Sequence, residues 1–169
     1  NIADQGGGGL YDIGCYPITT TRFLTGAEPV RVAAMIDRDP AMGIDRLGSV
    51  LMDMGGGVQA SFVYATQAVG RQTMQVFGTK GRLEVEIPFN APVDRPCRLH
   101  LYDGRDTGLG IAQTIEIPTC DQYGIMADAF AAAVLDGTPQ PVPLEDSVLN
   151  MRVIDAVFQA GAERAWVTV

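Results

Sequence analysis

The chain has 169 residues, of which 47% are hydrophobic and 19% charged, and its formal net charge is −8. This size and apolar content suit one globular domain with a sizeable core, and they exclude disordered and fibrous classes. The acidic balance argues against nucleic acid as a partner, and no apolar run approaches the roughly 20 residues that span a membrane. We therefore expect a cytoplasmic protein that binds neither nucleic acid nor membrane.

The cysteines and the histidine favour structural roles. Cys15, Cys97 and Cys120 are an odd number at wide spacing, which is typical of reduced thiols rather than of a disulfide framework. The only histidine, His100, lies in an alternating segment and is interpreted as an ordinary strand residue rather than a catalytic or metal-binding one. A zinc site needs three or four converging ligands, and none of the usual spacings occurs. The sequence therefore predicts no metal site.

The first element in chain order is the glycine run at residues 6–9, which leads into Asp12 and Tyr16. Their four-residue spacing places both side chains on one helix face. Consecutive glycines allow positive φ and close approach, so the run indicates either a ligand near the backbone or a flexible lead-in. A helix is predicted over residues 12–24, with Pro17 in its first turns or at a kink.

A two-residue period then replaces the helical one. It predicts strands, in chain order, over residues 30–37, 46–54, 58–67, 72–78, 82–87, 97–102, 112–117 and 166–169. Gly55-Gly56-Gly57 and Thr79-Lys80-Gly81 indicate hairpin turns, and at such a tip Lys80 is expected to be solvated rather than catalytic. Residues 88–96 contain three prolines and form an excursion that could overhang a site.

Two further helices are predicted late in the chain. Asp121 caps the first, which ends at Gly137, and the second runs from Leu144 to Arg164. Strands joined by tight turns, with helices at both ends of the sequence, predict an α+β fold with an open, largely antiparallel (mixed) sheet. Helices are expected on one face of the sheet, while the other face suits a partner subunit or partial exposure to water.

Several kinds of catalytic site are excluded by what the sequence lacks. One strand histidine cannot complete a Ser-His-Asp or Cys-His set, and no P-loop motif occurs. The glycine run at residues 6–9 follows no predicted strand, although a dinucleotide fingerprint requires one. The sequence therefore predicts no cofactor-binding domain of its own.

Four stretches closely resemble, in order and spacing, the C-terminal domain of the Gfo/Idh/MocA oxidoreductases. They are residues 7–16 (GGGLYDIGCY), 22–29 (RFLTGAEP), 77–83 (FGTKGRL) and the closing helix and strand from Pro143 to Trp166. The resemblance implies a glyceraldehyde-3-phosphate-dehydrogenase-like C-terminal fold. Residues 1–169 would be a single substrate-binding and oligomerisation domain, and the N-terminal Rossmann domain that binds NAD or NADP would be absent from this chain.

The resemblance also implies roles for two residues. The family pattern Gly-Gly-Gly-x-x-x-Asp-x-Gly-x-His/Tyr places Asp12 and Tyr16 at its last two side-chain positions, and the tyrosine points to the branch with glucose-fructose oxidoreductase, xylose dehydrogenase and dihydrodiol dehydrogenase. Tyr16 would accept the proton as hydride leaves a carbinol carbon, its phenolate favoured by a lysine of the N-terminal domain. Asp12 would orient the substrate hydroxyl or that lysine. The alternative for Tyr16 is a packed aromatic ring.

Three more residues are weaker candidates for substrate contacts: Gln122 and Tyr123 before a helix, and Asn90 on the proline-rich excursion. Each has a structural role as its alternative, and Arg22 is expected to pair with an acid. The implied function is that of the substrate-binding and assembly domain of an NAD(P)-dependent oxidoreductase, acting on a sugar, polyol or vicinal diol and inactive as an isolated chain. Homo-oligomers would form through the open sheet face. The alternative is a non-catalytic oligomerisation or small-ligand sensing module.

Overall fold

A computed structural model describes residues 6–104, 110–111 and 113–169. The chain forms two compact units, one from Asn1–Val69 with Val142–Val169 and the other from Gly70–Pro141. A π-helical turn at Leu10–Gly14, called here the π-turn, precedes three helices: α1 (Cys15–Thr25), α2 (Gln122–Asp136) and α3 (Leu144–Glu163). The strands are β1 (Arg31–Arg38), β2 (Asp45–Asp53), β3 (Gln59–Ala65), β4 (Met74–Gly78), β5 (Gly81–Val85), β6 (Cys97–Tyr102), β7 (Gln113–Ile117) and β8 (Val167–Thr168).

The first unit contains a four-stranded antiparallel sheet in the order β3-β2-β1-β8, with α1 and α3 on one face. Alternating residues of the strands point to that face and pack against the apolar side of α3. The fully buried core members are Leu10, Ile18, Val32, Met52, Val153, Val157 and Ala160. The helices therefore cover one side of the sheet and bring the π-turn against β2 and β3.

The hairpin between β2 and β3 confirms the predicted turn. Gly55, Gly56 and Gly57 all adopt positive φ, at 76°, 59° and 85°. Residues that carry a side chain rarely adopt positive φ, so the turn requires glycine at these three positions. Asp53 accepts a hydrogen bond from the Gly55 N–H at 3.0 Å and helps to close the turn.

The second unit contains another antiparallel sheet, in the order β4-β5-β6-β7, followed by α2. Lys80 is exposed at the two-residue turn between β4 and β5, as predicted. Asp121 accepts a hydrogen bond from the Gly124 N–H at 3.0 Å, which confirms the predicted cap, and Gly137 ends α2 with φ 66°. No residue of α2 is buried in the structure described. Its large apolar side chains Ile125, Phe130 and Val134 are exposed. Ala112, in the predicted strand 112–117, lies outside the described residues.

The observed class is α+β with open antiparallel sheets, as the sequence predicts. Every strand pair in the described ranges is antiparallel, but the strands divide between two sheets instead of forming one. In the first sheet β8 pairs with β1 through Val32 and Val167, which lie far apart in the chain. Among the described residues no helix is both long and apolar enough to cross a membrane.

Candidate active site on the first helix

The π-turn and α1 form one continuous helical segment that carries both predicted catalytic residues. Pro17, the third residue of α1, has no N–H to donate to the carbonyl four residues earlier, and its ring would clash with that carbonyl in a regular helix. The wider π-turn lies at that carbonyl, and π-turns are frequent at functional sites. The predicted helix 12–24 is thus confirmed, with a widened first turn that the sequence analysis did not anticipate.

Asp12 and Tyr16 lie on either side of the junction between the π-turn and α1. A separation of four residues is close to one full turn in both helix types, so the two side chains share a face as predicted. Both are exposed, Tyr16 to 48%. The neighbouring Tyr11 differs, because its ring packs against Phe158 of α3 at a centroid distance of 5.3 Å. Asp12 and Tyr16 are therefore exposed residues on a segment whose Tyr11 packs against α3.

The glycine run is shaped by the protein's own side chains. Gly8 has φ 133°, and a Cβ there would lie 2.1 Å from the Asp45 Oδ1 atom. A Cβ on Gly9 would lie 2.8 Å from the ring of Tyr64. Real Cβ atoms do not approach other atoms so closely, so both positions require glycine for packing. These packing contacts account for the glycines at positions 8 and 9.

Arg22 forms ion pairs at the C-terminal end of α1. Its guanidinium contacts Glu28 at 2.7 Å through Nε and Asp146 at 2.8 Å through Nη2, although only 5% of the residue is exposed. These hydrogen bonds to Glu28, followed by those to Asp146, raise the pKa of Arg22 above its ordinary value. Arg22 therefore pairs with acids, as predicted, and joins α1 to α3.

Asn150 of α3 provides a second link near the candidate site. Its side-chain amide donates to the Cys15 carbonyl at 3.4 Å, directly beside Tyr16. Burial raises the pKa of the Cys15 thiol, so this cysteine is a poor nucleophile. The sequence analysis missed Asn150, since an amide on a helix face carries no signal until its partner across 135 residues is known.

The other predicted contact residues lie in the second unit. Gln122 and Tyr123 begin α2, and Asn90 lies on the excursion between β5 and β6. The backbone N–H of Asn90 donates to Gln72 Oε1 at 3.2 Å, which shows that Gln72 shapes this excursion. The structure thus places Asp12 and Tyr16 on one segment, whereas these three residues belong to the other unit, two at the start of α2 and one on the excursion.

The described residues offer no alternative site with metal or histidine chemistry. Within residues 6–104, 110–111 and 113–169, no group of three or more His, Cys, Asp and Glu side chains is arranged to hold a metal ion. His100 lies between Glu84 and Thr114 in the register of the second sheet, and its Nδ1 is 3.1 Å from Thr114 Oγ1. This contact supports its interpretation as a strand residue.

Known proteins resemble the chain in both sequence and fold. A family model described as GFO/IDH/MocA C-terminal domain matches residues 1–84. An uncharacterized oxidoreductase of Rhizobium meliloti is 42% identical over 169 residues, which are 100% of this chain and 51% of that protein. A D-xylose 1-dehydrogenase (NADP(+)) of Haloferax volcanii is 33% identical over 157 residues, or 93% of this chain and 46% of the relative.

A solved structure resembles this chain over most of its length. A 3-ketoreductase from Actinomadura kijaniata, solved in complex with NADP and TDP-benzene, superposes with a TM-score of 0.80 and 28% identity, over 92% of this chain and 46% of its own. The chain spans about half the length of the relatives it matches. Taken with the family model and the predicted motif at residues 7–16, these similarities show that the chain belongs to the Gfo/Idh/MocA oxidoreductases, as a C-terminal domain of that family.

Proposed function

We propose that this chain is the substrate-binding and assembly domain of an NADP- or NAD-dependent dehydrogenase or reductase acting on a sugar, a polyol or a related vicinal diol. The observation that carries the proposal is the pair Asp12 and Tyr16, both exposed on one anchored helical segment. The relatives named as a D-xylose 1-dehydrogenase (NADP(+)) and as a 3-ketoreductase solved with NADP support the reaction class.

Tyr16 is proposed as the group that exchanges a proton with the reacting hydroxyl or carbonyl oxygen. A bound nicotinamide cofactor would supply or accept the hydride. The proton of the substrate hydroxyl must then pass to a positioned base, and such transfer typically contributes about 10² to 10⁴ in rate. Nearly half of Tyr16 is exposed, which is compatible with a role at a substrate site.

Asp12 is proposed to orient either the substrate hydroxyl or a lysine from another domain. Asp12 lies in the π-turn, one turn before Tyr16, which supports a role for the two residues at one site. A lysine near both groups would favour the phenolate form of Tyr16. Gln122, Tyr123 and Asn90 are proposed as further substrate contacts, on the ground that they occupy a helix start and a loop rather than the interior of a strand.

The glycine run of this chain is not proposed as a cradle for a dinucleotide. The positions that a Cβ would take on Gly8 and Gly9 are occupied by Asp45 and Tyr64, so packing within the protein explains these two glycines. We therefore place the main cofactor-binding residues outside residues 1–169. This chain would contribute a proton-handling pair and substrate contacts, not the dinucleotide site.

The proposal predicts different behaviour for the isolated chain and the full-length protein. With NADP⁺ and D-xylose or another aldose, the full-length protein is expected to form NADPH, measured by absorbance. Residues 1–169 alone are expected to form none, because hydride transfer requires the nicotinamide to be held against the substrate carbon. Turnover by the isolated chain would contradict the assignment of the cofactor site to another domain.

A second proposed role is assembly of identical subunits through the uncovered face of the first sheet. On this face Met35, Ser49 and Val63 form one cross-strand row, and Met35 is 75% exposed and Val63 68% exposed. The neighbouring rows add Leu51 and Leu47. Small and apolar side chains side by side on a flat face are suited to a second copy of the same surface. The same face would serve the alternative of a non-catalytic oligomerisation module.

Placing a charge on this face is expected to dissociate the oligomer. Val63→Glu would bury a carboxylate at the centre of the interface, and the mass of the full-length protein in solution, measured by light scattering, should fall toward that of a monomer. Val69→Glu is the matched control, because Val69 is 97% exposed and lies outside the sheet. Equal masses for Val63→Glu and the unmodified protein would exclude this face as the interface.

A further inference from the structure

Asp45 is a buried carboxylate beneath the segment that carries Asp12 and Tyr16. It is the first residue of β2 and is 1% exposed, and its Oδ2 accepts a hydrogen bond from the Leu10 N–H at 2.7 Å. This N–H lies at the start of the π-turn, where helical segments leave donors without a partner inside the helix. A buried charge is costly unless it is hydrogen-bonded, and this short contact holds the turn at a single point.

The ring of Tyr64 packs against the same turn. Its ring lies against the backbone of Gly9 and within 3.4 Å of a Cβ position at Gly14, the two ends of the turn. Tyr64 is buried, and its hydroxyl has no hydrogen-bond partner among the described residues. Burial, and then the neighbouring Asp45 carboxylate, raise the pKa of this phenol well above its ordinary value. The buried Tyr64 hydroxyl, without a partner in the described part of the chain, costs stability at this position, whereas Asp45 is hydrogen-bonded to Leu10.

We infer that Asp45 and Tyr64 are positioning residues, which fix the π-turn so that Asp12 and Tyr16 meet the substrate in one geometry. This inference rests on the proposed function. The support includes the glycines at residues 8, 9 and 14, each of which lets the turn approach the two side chains or Leu10 more closely than any other residue would. Misplacing a catalytic group by about 1 Å can cost about 10² in rate, so a rigid support beneath it matters for the reaction.

The test uses the full-length protein and two readouts. Asp45→Ala removes the acceptor of the Leu10 N–H. Gly8→Ala keeps the Asp45 carboxylate but places a methyl group against it, in a backbone conformation (φ 133°) that also strains alanine, and gives a second variant if Asp45→Ala does not fold. Asp45→Asn keeps an acceptor oxygen and is the conservative variant. Val32→Ala, a fully buried position on β1, is the control for general loss of packing. Hydrogen exchange of the peptide covering the π-turn and the kinetics of NADP⁺-dependent aldose oxidation are measured for each variant.

For Asp45→Ala and Gly8→Ala, exchange in the π-turn should accelerate by about 10-fold or more, and kcat should fall about 10- to 100-fold with KM within about 3-fold. Asp45→Asn should recover most of kcat, and Val32→Ala should lose stability but keep kcat. Unchanged exchange in the turn would overturn the inference whatever the activity. Faster exchange with normal kcat would also overturn it, provided that Tyr16→Phe abolishes turnover. If Tyr16→Phe is fully active as well, the proposed function fails, and the positioning role fails with it.

Discussion

Replacing Tyr16 by phenylalanine in the full-length protein is expected to lower kcat by about 10²-fold or more, while KM changes little. The substitution removes one hydroxyl and keeps the ring, so the fold and the contacts of α1 should persist. The loss falls on kcat because the phenol oxygen acts on the proton in the transition state rather than on substrate binding. Steady-state kinetics with NADP⁺ and an aldose would measure the change, together with the pH profile of kcat.

Tyr11→Phe is the matched control for this experiment. Tyr11 is a phenol on the neighbouring π-turn, but its ring packs against Phe158, a contact that phenylalanine would keep. We expect its kcat to stay within a few-fold of that of the unmodified protein. If Tyr16→Phe were as active as Tyr11→Phe, Tyr16 would have no part in the chemistry, and the non-catalytic assembly module would become the better description.

Arg22→Met is expected to lower the free energy of unfolding of this chain by about 2 to 3 kcal/mol. Arg22 is buried, and its guanidinium reaches both Glu28 and Asp146 with two nitrogen contacts each. Removing one member of a fully buried ion pair costs about 3 to 5 kcal/mol, and the partial exposure of both carboxylates reduces that loss. Urea denaturation followed by the fluorescence of Trp166, the only tryptophan, would measure it.

Arg46→Met is the control in the same unit. Arg46 pairs with Asp37 at 2.6 Å, but both side chains are largely exposed, and exposed pairs contribute at most about 1 kcal/mol. Arg22→Lys should recover little of the loss, because an ammonium group cannot bridge two carboxylates in the planar geometry of a guanidinium. Equal losses for Arg22→Met and Arg46→Met would show that the link between α1 and α3 contributes nothing particular to stability.

The secondary structure was predictable wherever its cause is local. Gly26 and Gly137 end their helices in the left-handed conformation, and Asp121 caps α2 through its own side chain. The glycines at residues 55–57 set the turn between β2 and β3. In each case the chemistry lies within four residues of the feature it determines, so the sequence pattern alone was sufficient.

The features that the sequence analysis missed depend on distant partners. The pairing of β8 with β1 joins residues more than a hundred positions apart and completes the first sheet. The π-turn reflects Pro17 together with the packing of Tyr64. Periodicity reports which face of a strand is apolar, but not which strands are neighbours.

The candidate site shows the same limit. The spacing of Asp12 and Tyr16 identified the exposed pair, because a helix places residues four apart on one face. Asp45 and Tyr64 carried no such signal, since an acid at the start of a strand and a tyrosine on an apolar strand face are ordinary patterns. The importance of Asp45 follows from its contacts with Gly8 and Leu10, across 37 and 35 residues of chain, and that of Tyr64 follows from its packing against Gly9 and Gly14.

The first unit is formed by two separate stretches of the chain, and this arrangement has a consequence for biosynthesis. Its core joins strands before residue 69 to a helix and a strand after residue 142, so the N-terminal strands emerge from the ribosome long before α3 can cover them. During that interval, while the strands of the intervening unit are synthesised, the apolar sides of β1, β2 and β3 are not yet covered by α3. Within the first unit, β1, β2 and β3 are therefore the part most vulnerable to aggregation during synthesis, and synthesis of α3 ends that exposure.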